Sequence, residues 1–228
     1  MLCGMNSDHL RRREALIALG GLGLGAAFGA RSLFGASTAL AAPECLLQRE
    51  VTEGPYYIDL DLVRRNIKDD RRGTPLTLRF TVVDATTCRR IQGAAVEIWH
   101  ADAAGVYSGV SGNSGNFLRG VQRTNASGVA RFETIFPGWY RGRTPHIHMK
   151  VFVSGDEVHT GQVFFRPAVT KTVYGQGVYS SRGQADTSNS GDMIYREAGA
   201  RALCALKRKG TLVSSGYTGA MTIGVDAS

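Results

Sequence analysis

No cysteine pair in this 228-residue chain stands at metal-site spacing; the four are Cys3, Cys45, Cys88 and Cys204. A zinc–thiolate centre is thereby excluded. Acidic residues are scarce, 19 against 27 lysines and arginines. The basic residues are nevertheless scattered (Arg64, Arg65, Arg71, Arg72, Arg89, Arg90 and Lys207 to Lys209) and form no stripe interleaved with aromatics. That pattern describes a solvated surface and argues against a nucleic-acid partner. The positive excess would still favour anionic aromatic ligands. No long amphipathic helix and no internal repeat is visible, so bundles and solenoids drop out. An extended apolar run falls within the first forty residues, but it is glycine-rich and broken by Arg31, which excludes a stable membrane span.

That run has another reading. Arg11, Arg12 and Arg13 precede Glu14-Ala15-Leu16-Ile17 and a Gly/Ala-rich stretch to about Ala42, with Ala39-Leu40-Ala41 at a cleavage position. A charged start, an apolar middle and an A-x-A end predict a secretory leader over 1–41. Arg12-Arg13 ahead of Ala15-Leu16 further resembles a twin-arginine signal, and replacing that pair by lysines is expected to retain the protein inside the cell. The expected location is periplasmic or secreted, an oxidising compartment. Cys3 leaves with the leader, and part of the +8 formal charge leaves with its four arginines and two acids. Three cysteines then remain, read as one disulfide and one buried thiol, with all three pairings open. Cys45–Cys88 would tie the N-terminal segment onto the sheet.

The rest is long enough for one domain with its own core: an N-terminal segment over 42–75, packing on the core, and a catalytic domain over 76–228. From Leu76 the pattern is of short strands between turns. Strands are predicted over 76–83, 94–100, 128–136, 145–153, 162–165 and 216–225. Residues 105–120 read as a Gly/Ser/Asn-rich loop, and 166–200 as loop with one short helix at most. This spacing predicts an all-β fold, a single β-sandwich domain with long loops and little helix.

Chemistry concentrates in Arg143-Thr144-Pro145-His146-Ile147-His148. Residues i and i+2 of a strand share a face. Both imidazoles therefore leave one side of a half-buried strand, while Ile147, Met149 and Val151 enter the core. Two adjacent neutral imidazoles chelate a metal, and burying them without partners is costly. Tyr107 and Tyr140 each lie in a Gly-rich turn. Two imidazoles and two phenols suit a hard, high-valent ion such as Fe(III); zinc or copper on the same donors is the rival enzyme reading. A blander rival is a non-catalytic binding module, a sandwich of the transthyretin or carboxypeptidase-regulatory type, in which Gly93-Ala-Ala-Val-Glu-Ile98 and Asp102-Ala-Ala-Gly-Val-Tyr107 merely build hairpins. Such a module has no use for Pro-His-x-His with both rings on one face. Of the other histidines, His100 reads as a satisfied structural residue and His159 as an exposed turn. Trp99 reads as core.

These residues resemble the intradiol ring-cleavage dioxygenases, the catechol and protocatechuate 3,4-dioxygenase family. The resemblance is carried by Glu97-Ile98 with Gly105-Val-Tyr107, by Phe132-Glu-Thr-Ile135 through Pro137-Gly-Trp-Tyr140, by Arg143 to His148, and by Thr52-Glu-Gly-Pro55-Tyr-Tyr57. It spans about 50–225. It implies one Fe(III) per chain, held by Tyr107, Tyr140, His146 and His148. It also implies a small aromatic vicinal diol and O2 as partners, and cleavage between the two hydroxylated carbons to a muconate-type diacid. Tyr140 would yield its place to the diol and help take up a proton, Arg143 would face developing negative charge, and Gln162 would stand near the iron. Gly54, Pro55 and Tyr57 would bind substrate, with the Gly54-Pro55-Tyr56-Tyr57 turn and the 105–120 loop lining the pocket. The short Tyr140–His146 spacing implies a more open pocket than in members with a longer loop. Homo-oligomerisation stays open.

Overall fold

The computed structural model describes residues 45–227; the leader predicted over 1–41 lies outside them. Eight strands form two four-stranded sheets. They are β1 (Pro75–Asp84), β2 (Ala95–Trp99), β3 (Arg119–Arg123), β4 (Val129–Ile135), β5 (His146–Val153), β6 (Asp156–Phe164), β7 (Ala205–Arg208) and β8 (Tyr217–Val225). One sheet runs β4-β1-β8-β7 and the other β3-β2-β5-β6. Pairs are antiparallel except β1 with β8, which run parallel with Leu76 opposite Tyr217. The all-β expectation holds.

The core is built by period-two alternation. Leu76, Leu78, Phe80 and Val82 of β1 meet Val96 and Ile98 of β2 and Ile147, Met149 and Val151 of β5, all fully buried. Each such side chain contributes about 1.5–3 kcal/mol by leaving water. The other face of β5 was expected to be only half-covered. Instead His146 to Val151 are buried without a break, because residues 45–67 cross over this sheet. Val51 N–H donates to Thr160 O of β6 (3.0 Å), Glu53 pairs with Lys150 of β5 (2.9 Å), Tyr57 donates to Glu97 of β2 (3.2 Å) and Val63 bridges to Val121 of β3, before Asn66 reaches Glu133 of the other sheet. Cys45 and Cys88 form a disulfide that ties the start of this segment to the β1–β2 connection, leaving Cys204 as a buried thiol.

Four local expectations are corrected. β3 begins at Arg119, inside the predicted loop, because Arg119 is buried and its guanidinium bonds Ser108 Oγ (3.0 Å) and Ser108 O (2.8 Å). β6 starts at Asp156, six residues before its predicted start. Ser154 and Gly155 turn at positive φ (56° and 99°), and the polar residues that follow join the ladder at once. His159 is consequently a buried strand residue, 2% exposed, not an exposed turn, and burial pushes its pKa down to about 4. Finally, the 166–200 stretch holds two short helices, α1 (Pro167–Tyr174) and α2 (Met193–Ala198), and the edge strand β7 follows it. Among the described residues no helix is long and apolar enough to cross a membrane.

Candidate metal centre

Strand register assembles the site at one end of β5. Trp99 stands opposite His148, and His148 opposite Gln162, so one row crosses β2, β5 and β6. The tyrosines come from the turns after β2 and β4. Those turns touch backbone to backbone, since a Cβ on Gly138 would lie 2.1 Å from Asp102 O. Only glycine permits that approach, and it brings Tyr140 beside Tyr107, with ring centroids 5.8 Å apart.

The four donors predicted from the sequence converge. His146 Nε2 lies 3.1 Å from His148 Nε2, 3.4 Å from Tyr107 Oη and 3.2 Å from Tyr140 Oη; His148 Nε2 lies 3.1 Å from Tyr107 Oη. His146 Nδ1–H donates to Thr144 O (2.7 Å), so its Nε2 presents a lone pair to the other three. These four separations are those of donors close enough to share one ion at about 2.0–2.1 Å. His148 also has a buried Nδ1 with no partner. Among the described residues no three His, Cys, Asp or Glu cluster as a metal site, so the phenols are needed to complete one. The electrostatics agree. Burial holds His146 unprotonated, its pKa down to about 3, and holds His148 well below its ordinary range. Burial also raises both phenols, Tyr107 most, so a cation is what would let them serve as phenolates.

The surrounding groups are specific. Arg143 donates from Nη1 to Tyr140 Oη (3.3 Å), from Nη2 to Gln162 Oε1 (2.6 Å) and from Nε to Asp192 Oδ2 (2.8 Å). Gln162 in turn donates to Thr52 O (2.9 Å). Burial alone would raise the Asp192 carboxyl, but Arg143 and the Thr144 and Tyr195 amides hold it below the ordinary range. Gly54, at φ +76°, backs onto His148 so closely that a Cβ would lie 2.9 Å from Cε1. Pro55 is exposed at the turn. Tyr57 does not face the donors; it packs on Trp99 (5.0 Å) and donates to Glu97 Oε2 (3.2 Å). The ring at the donors is its neighbour Tyr56, stacked 4.4 Å from Tyr107 and edge-on to Tyr140 at 5.9 Å. His100 is satisfied at both nitrogens, by Ala101 O and Thr134 Oγ1. Asp192 was not singled out from the sequence, because nothing links it in sequence to an arginine 49 residues away; Tyr56 was expected only to line the pocket with its turn.

The fold and its likeness to known proteins define the class, a dioxygenase. The chain matches the dioxygenase family model over residues 52–184, more than half its length, and it belongs to the intradiol ring-cleavage dioxygenase family. An intradiol ring-cleavage dioxygenase from Tetranychus urticae is 34% identical, with a TM-score of 0.75, covering 80% of this chain and 95% of that one. The dioxygenase domain of a carbohydrate-binding fusion from Streptomyces sp. SirexAA-E is 27% identical, with a TM-score of 0.60, covering 80% and 99%. The chlorocatechol 1,2-dioxygenase of Pseudomonas putida is 29% identical over 137 residues, 50% of this chain and 52% of that one. The chain thus spans about half the length of the curated relatives it matches.

Proposed function

We propose that this protein is an iron-dependent dioxygenase that opens the ring of a small vicinal aromatic diol between its two hydroxylated carbons, adding both atoms of O2 to give a muconate-type diacid. The observation that carries the proposal is the convergence of Tyr107, Tyr140, His146 and His148 within 3.1–3.4 Å. Fe(III) held by these four would supply a Lewis acid that draws electron density from the diol.

The chain's own residues divide the remaining work. Tyr107 is buried beneath Tyr56 and is fixed, whereas Tyr140 is partly exposed. Tyr140 is therefore the phenol able to swing away and accept a diol proton at Oη. Arg143 places a permanent positive charge beside that oxygen, where negative charge builds on the ring. Tyr56 offers an apolar ring face beside both tyrosines, suited to an aromatic guest.

A visible spectrum of the purified protein, before and after anaerobic addition of catechol, tests the proposal. The expected result is a broad tyrosinate-to-iron band that moves to longer wavelength with catechol. An iron-reconstituted protein that stays colourless and unresponsive would overturn it and favour a non-catalytic sandwich.

A further inference from the structure

We infer that Asp192 is a positioning residue that aims the Arg143 guanidinium at the reacting centre. The inference rests on the functional reading above and concerns a residue beyond the 52–184 family match. Asp192 sits at the start of α2 with its side chain fully buried. Its two oxygens do different jobs. Oδ1 accepts from the Ile194 and Tyr195 amides (2.9 and 3.2 Å) and caps α2. Oδ2 accepts from Arg143 Nε (2.8 Å) and from Thr144 N (2.9 Å).

A guanidinium is a rigid planar fork, so fixing one edge fixes the direction of the others. Asp192 holds the Nε edge and Gln162 takes Nη2. Nη1 is then left 3.3 Å from Tyr140 Oη and 3.4 Å from His146 Nε2. Arg143 is only 18% exposed, so water screens this charge little. The carboxylate thus works at a distance, since it touches neither phenol nor imidazole itself. The second bond of Oδ2 anchors Thr144, which Asn189 also holds through Thr144 Oγ1 (2.7 Å). That loop therefore keeps one tie when Oδ2 is lost, while Arg143 loses the bond that fixes its Nε edge and keeps only those of its Nη groups, to Gln162 Oε1 and Tyr140 Oη.

Asp192→Asn separates the two jobs. The amide oxygen can still cap α2, but the NH2 then faces two donors and releases Arg143. Kinetics of Asp192→Asn, Arg143→Ala and the double variant form a cycle that isolates their coupling. The expected result for Asp192→Asn is a fall of about 10–100-fold in kcat, with KM within about threefold. The double variant should be no slower than Arg143→Ala, and the visible band of the iron-loaded protein should be displaced alike in all three. Losses that multiply in the double variant, or a wild-type band in Asp192→Asn, would overturn the inference and leave Asp192 a helix cap. If Asp192→Asn does not fold, Arg143→Lys decides. Lysine keeps the charge but cannot span Asp192 and Tyr140 together, so wild-type kcat there would equally overturn it. A colourless wild type would retire the functional reading itself and this inference with it; a coloured, active wild type with a multiplicative cycle retires the inference alone.

Discussion

His100, just past the end of β2, and the pair His146 and His148 on the neighbouring β5 are all buried, yet they differ in where their ring nitrogens point. Both nitrogens of His100 are closed by protein partners, Nδ1–H donating to Ala101 O (2.8 Å) and Nε2 accepting from the Thr134 hydroxyl (2.7 Å). The Nε2 atoms of the pair face each other and two phenols, and His148 Nδ1 has no partner at all. Burial alone does not mark a histidine as a metal ligand; ring nitrogens aimed at one another do, because one cation would satisfy them together. The largest effect that could break this contrast comes from His148→Ala against His100→Ala. His148→Ala is expected to abolish the visible band and to weaken iron binding by more than the roughly 10–100-fold typical of outer-shell partners. His100→Ala should cost about 2–4 kcal/mol of stability, from the cavity and the orphaned Thr134 hydroxyl, with colour and turnover per folded molecule retained. A coloured His148→Ala protein, or a colourless but folded His100→Ala protein, would dissolve the distinction. Metal analysis and denaturant unfolding read both.

A smaller effect sharpens it. Gly54 lies against the edge of the His148 ring that carries the unpartnered Nδ1, and a Cβ there would be 2.9 Å from Cε1. Gly54→Ala therefore strains a positive φ and presses on a ligand ring at once. Iron affinity is expected to drop about 10–100-fold, the scale of a displaced support, while His100 and its surroundings are untouched. An iron titration giving wild-type affinity would mean that this backbone does not set the ring's position.

Much of this was legible in the sequence, for identifiable reasons. His146-x-His148 and the apolar residues between and after them announce a strand face carrying two imidazoles, because strand periodicity is local. The turn glycines likewise mark Tyr107 and Tyr140. What could not be read depends on chain segments that meet only after folding. The exposure of Lys150 and Glu97 was set by residues 53–57 lying over β5 and β2, and that of His159 by residues 50–51 running beside β6, which alternation along a strand cannot reveal. β3 hid because Arg119-Gly-Val-Gln-Arg123 has charged ends and lacks the alternation of a core strand. Choosing between Tyr56 and Tyr57 needed the turn geometry, because adjacent residues leave a turn in directions that composition does not encode.

Glu97 and Asp192 extend the comparison to carboxylates. Both are buried, but Asp192 meets a guanidinium and Glu97 meets chiefly the Tyr57 hydroxyl. Burial therefore pushes Glu97 from 4.5 to about 7, with the Tyr57 hydroxyl opposing, nearby Asp59 adding, and Lys150 and Arg119 opposing further. Its sign is opposite to the usual paired carboxylate. The folded state holds the proton more tightly than the unfolded one, so stability is full below about pH 4.5 and declines as pH rises to about 7. Above that it is level, and the whole loss amounts to no more than roughly 3 kcal/mol. Glu97→Gln keeps the shape and removes the ionisation. Unfolding free energies of the metal-free wild type and Glu97→Gln should therefore run together near pH 4.5 and separate up to pH 7, with the variant the more stable at pH 8. Parallel curves across that range would mean that Glu97 ionises at an ordinary pH, with Lys150 and water supplying what the guanidinium supplies to Asp192.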